Sequence, residues 1–183
     1  MIKKTLVLLI DFEGHPQICD DPITNTLRFS WLKSLLFNDM DWEFLIMSDH
    51  LAHHTKMMEY ERMINAEDAH RLIKLDPDAS LEVDDVIQQA YEQGYEITNV
   101  IIGGCNTIGC VLDSCGYSSL KWAKAGYPVQ ILLPMCADYQ VYGQSMTETN
   151  IYSFSEMYRR IRAQKLCDKV DIISNIHDIK LKV

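Results

Sequence analysis

Long apolar runs and a basic charge balance are both missing from this sequence. No apolar stretch approaches the ~18 residues that cross a bilayer, so we expect no membrane span. The apolar run after Lys3 and Lys4 stops at Asp11, which is too short for the core of an export signal. Acidic residues outnumber basic ones by 26 to 17, and the formal net charge is −9. Duplex nucleic acids and anionic membranes both require a basic face, so we expect neither as a partner. Because the sequence shows neither an export signal nor a membrane span, we expect a cytoplasmic protein.

Paired cysteines, repeats and biased segments are missing as well. The six cysteines show no CxxC spacing, and without an export signal we expect no disulfide framework. The composition lacks the strong bias of a disordered chain, a coiled coil or a collagen. With 48% apolar residues and no linker, the sequence predicts one globular domain over residues 1–183.

Short apolar runs alternate with amphipathic stretches along the chain, which is typical of βαβ units. The predicted strands are Thr5–Ile10, Glu43–Met47, Arg71–Leu75, Asn99–Gly103, Val129–Leu133 and Val170–Ser174. The predicted helices are Ile23–Phe37, Thr55–Ile64, Leu81–Gln93, Cys110–Ala125 and Ser155–Leu166. Gly94 and Gly126 are expected just past helix ends. The pattern indicates an α/β fold with a doubly wound, mostly parallel six-stranded sheet and helices on both faces.

Three reactive side chains stand where predicted strands end, and ligands bind at that edge of a doubly wound sheet. Asp11 and Lys74 each close an apolar run, and Cys110 opens a helix after the Gly103-Gly104 turn. A helix N-terminus favours a thiolate and can hold a developing oxyanion. Each residue also has an ordinary interpretation: a loop-capping aspartate, a surface lysine, or a cysteine of the core.

Taken in order, these positions resemble the motifs of the isochorismatase-like cysteine hydrolases, which include nicotinamidases, N-carbamoylsarcosine amidohydrolase and ureidoacrylate amidohydrolases. The strand ending in Asp11 resembles the first motif of that superfamily, and Lys74 with Asp78-Ala79 resembles its K-x-x-x-D-A motif. The segment 104–111, GCNTIGCV, is similar to the nucleophile motif G-x-x-T-x-x-C-V. The resemblance covers nearly the whole chain and implies a Rossmann-like three-layer fold.

The resemblance implies a catalytic triad. Asp11 would be the general base, Lys74 the cation that links acid and thiol, and Cys110 the nucleophile. It also implies a cis peptide between Cys105 and Asn106 that aims backbone amides at the substrate oxygen, forming an oxyanion hole.

Other residues are expected around this centre. We expect Glu13, Thr107 and Tyr139 to contact the substrate. Glu13 stands where many members carry glutamine, and it could raise the pKa of Asp11, select a cationic substrate, or simply lie in solvent. Tyr139 could stack on a flat substrate or pack against a helix.

A metal site is less well supported. Nicotinamidases bind a metal through a D-x-H segment and a second histidine. The corresponding stretch here has a shifted spacing, so we expect no metal and no other cofactor. Its candidate ligands are Asp49, His50, His53 and His54.

The sequence therefore predicts a cysteine-dependent hydrolase that cleaves an amide or ureido C–N bond of a small molecule through an acyl-enzyme on Cys110. The alternative is a catalytically inactive binding or scaffold protein with the same fold, motivated by Glu13 and the altered metal segment. A redox-sensing thiol protein is a third, weaker possibility. We expect a homodimer or homotetramer, since members of the superfamily are often oligomers.

Overall fold

A parallel sheet organises the part of the chain that the structure describes. The computed structural model describes residues 1–10, 28, 30–35, 44–49, 72–74, 80–138, 146–175 and 178–180. The strands are β1 Ile2–Ile10, β2 Phe44–Asp49, β3 Leu72–Lys74, β4 Tyr95–Cys105, β5 Val129–Ala137 and β6 Val170–Ile173. They form one sheet in the order β3-β2-β1-β4-β5-β6, with every pairing parallel. The expected α/β fold with a parallel sheet is confirmed.

Helices connect these strands. They are α1 Val83–Glu92, the π-helix Thr107–Ser114, α2 Ser119–Lys124 and α3 Met146–Ala163, and residues 30–35 are also helical. Gly94 and Gly126 follow α1 and α2 with φ of 87° and 97°, a conformation that glycine adopts at little cost, so their predicted positions past helix ends are confirmed. The predicted helix Thr55–Ile64 lies outside the described residues. In the described ranges, no helix has both the length and the apolar character needed to span a membrane.

The core covers both faces of β1. Leu6, Leu8 and Ile10 are fully buried in one large cluster with residues of β2, β4, β5 and the helices. Val7 and Leu9 point to the opposite face and are also fully buried. A continuous apolar run such as residues 5–10 therefore forms a central strand because neither of its faces meets water.

A bulge in β5 interrupts its pairing with β4. Ile102 pairs with Ile131, but Gly104 pairs with Cys136, so the four residues 132–135 of β5 lie opposite the single residue Gly103. Pro134 lies in this bulge, where its missing N–H removes no ladder hydrogen bond. A Cβ on Gly103 would lie 2.8 Å from the Cβ of Met135. Glycine at this position therefore makes room for the bulge, and β5 continues past the end predicted at Leu133.

Side chains of β4 and β5 hold the chain segment 178–180 against the sheet. The Gln130 side chain, which is buried, donates Nε2–H to the Lys180 carbonyl and accepts from the Lys180 N–H, both at 2.7 Å. Asn99 Nδ2 donates to the same carbonyl at 3.2 Å. The two side chains thus satisfy the backbone of Lys180 in place of a further strand.

We expect Gln130→Ala to lower the free energy of unfolding by about 2 kcal/mol, because two hydrogen bonds to the Lys180 backbone are lost together. Urea unfolding measures the change, and amide hydrogen exchange at Lys180 should speed up in the variant. Gln88→Ala on α1, which removes an exposed hydrogen bond to Glu92, is the control and should change stability little. Unchanged exchange at Lys180 would contradict this role for Gln130.

Candidate active site

The candidate site is built where the carboxyl ends of β1 and β4 meet. The chain leaves β1 toward β2 on one side and leaves β4 toward β5 on the other, so this pair is the switch point of the sheet. Ile10 pairs with Gly104, and a Cβ on Gly104 would lie 1.9 Å from the Ile10 carbonyl oxygen. Only glycine permits this approach, which brings the end of β4 against the residue that precedes Asp11.

The turn after β4 leads directly into the π-helix and places Cys110 in its first turn. Asn106 adopts the left-handed conformation, with φ 59° and ψ 63°, and its carbonyl accepts the Val111 N–H at 3.3 Å. Such π-helical turns are rare and are frequently found at functional sites. Cys110 is half-buried and packs at the margin of the main core. Cys110 therefore lies beyond the carboxyl end of β4 and is only partly buried.

The expected cis peptide between Cys105 and Asn106 is wrong. Among the described residues no peptide bond is cis, and this bond is trans. A non-proline cis bond costs about 3 kcal/mol, whereas asparagine enters the left-handed region at smaller cost. The chain reverses at Asn106 through its positive φ instead. Cys105 itself is fully buried and packs against Ala137.

The Asn106 side chain folds back over the first turn of the π-helix. Its Nδ2 lies 3.5 Å from Cys110 Sγ and donates a hydrogen bond to the sulfur. A Cβ on Gly109 would lie 2.5 Å from both Nδ2 and Oδ1 of Asn106. The absence of a side chain at residue 109 therefore leaves the space in which the amide reaches the sulfur.

Three polar side chains hold the start of the π-helix against β5 and α3. Thr107 is buried and donates its hydroxyl to the Ala137 carbonyl at 2.9 Å. Asp138, also buried, accepts the Ser153 hydroxyl at 2.7 Å and the Ile108 N–H at 3.5 Å. Thr107 therefore anchors the loop in the structure, and its contact with a substrate stays a prediction.

The nearby bulge of β5 carries a second cysteine in a different environment. Cys136 Sγ donates to the Leu132 carbonyl at 3.3 Å, and Arg28 Nε donates to the Met135 carbonyl at 3.3 Å. Burial raises the pKa of Cys136 to about 12, despite opposing effects of the Gly104 backbone and the Arg28 charge. Cys136 therefore remains a neutral thiol at physiological pH, and it is a poor nucleophile.

We expect Cys136 to make the free energy of unfolding fall as the pH rises from 9 toward 12. The folded protein keeps the proton until about 12, whereas the unfolded chain loses it near the ordinary value of 9.0. The contribution of this raised pKa to stability is complete below pH 9 and decreases above it. The free energy of unfolding then falls by up to about 1.4 kcal/mol per pH unit. Urea unfolding of the wild type and Cys136→Ala from about pH 8 to about pH 11 measures the effect. The stability difference between the two proteins should shrink with pH, and parallel curves would contradict it.

The other predicted site residues are only partly placed. The backbone of Lys74 ends β3, where it pairs with Ile46. Ile46 also pairs with Val7, so Lys74 lies level with a residue three positions before the end of β1, with β2 between the two strands. Its contact with Cys110 stays a prediction. Three predicted site residues lie outside the described residues, namely Asp11, Glu13 and Tyr139.

Most of the candidate metal ligands also lie outside the described residues. Asp49 ends β2, but the three neighbouring histidines are not described. Within the described ranges no group of three or more His, Cys, Asp or Glu side chains could hold a metal ion.

Sequence reasoning missed Asp138, Ser153 and the side chain of Asn106. Asp138 follows β5 directly, as Asp11 follows β1, so the rule that sites form after strands could have found it. Because β5 was predicted to end at Leu133, Asp138 was not identified as a residue that directly follows a strand. The fold of the Asn106 side chain depends on its positive φ and on the space at Gly109, and neither can be derived from the motif.

Comparison with known proteins rests on structure alone, since no protein-family model and no curated protein matches the chain. The nicotinamidase SaPncA from Staphylococcus aureus aligns with a TM-score of 0.55 at 15% identity, covering 94% of this chain and 100% of its own. The MAR1 ribonuclease from Caenorhabditis elegans aligns with a TM-score of 0.51 at 11% identity, covering 98% and 96%. The YcaC gene product from Escherichia coli, an octameric hydrolase of unknown specificity, gives 0.50 at 11% identity, covering 92% and 75%. At such identities the likeness shows a shared fold.

Proposed function

We propose that this chain, which has the isochorismatase-like fold, is a hydrolase that cleaves an amide or ureido C–N bond of a small molecule through a thioester on Cys110. The observation that carries the proposal is the position of Cys110: half-buried, in the first turn of a helix that starts at the switch point of the sheet. Two of the structures that share this fold, SaPncA and YcaC, are described as a nicotinamidase and a hydrolase.

In the proposed reaction Asp11 removes the thiol proton, and Lys74 stabilises the resulting thiolate. The sulfur attacks the carbonyl carbon and forms an S–C bond while negative charge develops on the carbonyl oxygen. Backbone amides at the start of the π-helix stabilise that oxyanion. The C–N bond then breaks, and the amine leaves with the proton that Asp11 holds.

Water completes the proposed cycle. Asp11 removes a proton from water, the oxygen attacks the thioester, and the C–S bond breaks to release the acid. The proton returns to the sulfur, so one water molecule is consumed for each acid and amine released.

The chemistry of the chain favours small, uncharged or cationic substrates over nucleic acid. Its net charge of −9 repels a polyanion, although the structurally similar MAR1 is a ribonuclease. We further propose that residues 1–183 form a single domain, and that it assembles into a homodimer or homotetramer, as YcaC assembles into an octamer.

The test is release of an amine from a panel of primary amides, N-substituted amides and ureido compounds, with a single-stranded RNA oligonucleotide included. We expect turnover of at least one amide or ureide, and a transient gain in intact mass equal to the acyl group. Cleavage of RNA alone would overturn the proposal. Failure of every compound to react or to acylate Cys110 would favour a binding or scaffold protein.

A further inference from the structure

The hydrogen bond between Asn106 and Cys110 gives the candidate site a donor that the triad does not include. Asn106 Nδ2 and Cys110 Sγ are 3.5 Å apart; Asn106 immediately precedes the π-helix, and Cys110 lies four residues later in its first turn. A hydrogen bond donated to the charged form of an acid favours that form. An amide N–H directed at a sulfur therefore favours the thiolate over the thiol.

Two independent features of the backbone bring this donor to the sulfur. The left-handed conformation of Asn106 turns its side chain back toward the helix that follows. Gly109 lies under the amide, and even a methyl group there would lie 2.5 Å from Nδ2 and Oδ1. Because the amide depends on both features, disturbing either one should separate it from the sulfur.

We propose that Asn106 is a catalytic residue whose side-chain amide donates a hydrogen bond to the Cys110 sulfur and holds it as the attacking thiolate. The inference rests on the proposed function, in which Cys110 is the nucleophile. In the first step the S–C bond forms and the sulfur loses its negative charge, so the hydrogen bond weakens. When the thioester breaks, the charge returns to sulfur and the amide stabilises the leaving thiolate.

Several charged groups lie on the π-helix and on the elements packed against it. They lie on the helix itself, after β5, and on the two helices packed against it: Asp113, Asp138, Lys121, Lys124, Glu148, Glu156, Arg159, Arg160 and Arg162. The Asp138 carboxylate contacts Ile108 N, two residues from Cys110, and its negative charge opposes ionisation of the thiol. All these groups are unchanged in the variants below, so a comparison with the wild type isolates the amide.

The test measures the pH midpoint of Cys110 alkylation by iodoacetamide, read from peptide masses, in the wild type and four variants. Asn106→Gly removes the amide while keeping a residue that adopts positive φ freely. Gly109→Ala keeps both Asn106 and Cys110, but its added methyl group displaces the Asn106 amide. Ser114→Ala, an exposed position at the end of the same helix, is the control.

We expect Asn106→Gly and Gly109→Ala each to raise the midpoint by about one pH unit, and Ser114→Ala to leave it unchanged. The double variant Asn106→Gly/Gly109→Ala should shift no further than either single variant, because both remove the same interaction. Circular dichroism checks that each variant is folded. Midpoints of folded Asn106→Gly and Gly109→Ala that equal the wild-type midpoint would overturn the inference.

This measurement needs no substrate, so it separates the inference from the proposed function. Shifted midpoints in a protein that hydrolyses no member of the panel would uphold the amide–thiolate interaction and refute the hydrolase. Hydrolysis accompanied by unchanged midpoints would uphold the hydrolase and remove Asn106 from its mechanism.

Discussion

Cys110→Ala is expected to reduce amine release from any substrate of the panel by roughly 10⁴-fold or more. The variant lacks the only atom that can form the proposed thioester, so both the attack on the carbonyl and the acyl intermediate disappear. Cys110 is half-buried at the margin of the core, so loss of its sulfur should leave the fold intact. Initial rates and intact mass with one substrate measure both effects.

Cys167→Ala is the matched control for this loss, because Cys167 is an exposed free thiol beyond α3. It should retain the wild-type rate and the acyl adduct. No cysteine in the described part of the chain forms a disulfide, so neither substitution breaks one. A Cys110→Ala protein with near wild-type turnover would refute nucleophilic catalysis by this residue.

Gly104→Ala is expected to lower the free energy of unfolding by at least about 3 kcal/mol. The added methyl group would lie 1.9 Å from the Ile10 carbonyl oxygen and 2.8 Å from the Ile10 carbonyl carbon. Both neighbours are backbone atoms of a central strand, so they cannot rotate away as a side chain could. The ends of β1 and β4 must separate, which would also displace the residues that follow them. Urea unfolding at neutral pH measures the change.

Gly94→Ala separates this close approach from the conformational preference of glycine. Gly94 also has a positive φ, of 87°, but a Cβ there would have no atom within 4 Å. We expect it to cost only about 1–2 kcal/mol, the price of a left-handed alanine. Equal losses of stability in Gly94→Ala and Gly104→Ala would show that the packing of β4 on Ile10 contributes nothing.

Apolar periodicity was sufficient to predict where the central strands lie. The predicted strands 5–10 and 99–103 each contain a short apolar run, and both fall within strands whose two faces are buried. Their ends were less predictable, because β1 and β4 extend into residues such as Ile2 and Glu96 that are exposed. Backbone pairing with a neighbouring strand continues there without an apolar pattern to mark it.

The helix that contains the candidate nucleophile differs from the predicted one in type and length. A single helix Cys110–Ala125 was expected, but the chain forms a π-helix to Ser114, turns through Gly116, and begins α2 at Ser119. A Cβ on Gly116 would lie 2.3 Å from the Leu81 carbonyl oxygen, so this turn is packed against the segment before α1. That contact joins residues 35 positions apart, and local periodicity carries no information about it.

The polar supports of the site depend on similar long-range contacts. Asp138 reaches Ile108 and Ser153 only because β5 bulges around Pro134 and extends to Ala137. Pro134 cannot donate a ladder hydrogen bond, but the bulge of β5 accommodates it. The reactive residues at the strand ends could therefore be predicted from their type. The side chains that hold the site in place, such as Asp138, could not.

The most direct test of the central claim is alkylation by limiting iodoacetamide from about pH 5 to about pH 9, with the modified cysteine identified by mass. It compares the wild type with Asp11→Asn and Lys74→Ala. If Cys110 is the activated nucleophile of a triad, it alone reacts rapidly near pH 6, Cys136 stays unmodified, and both substitutions shift the Cys110 profile. Six cysteines that react alike, or a Cys110 profile that neither substitution changes, would contradict the account.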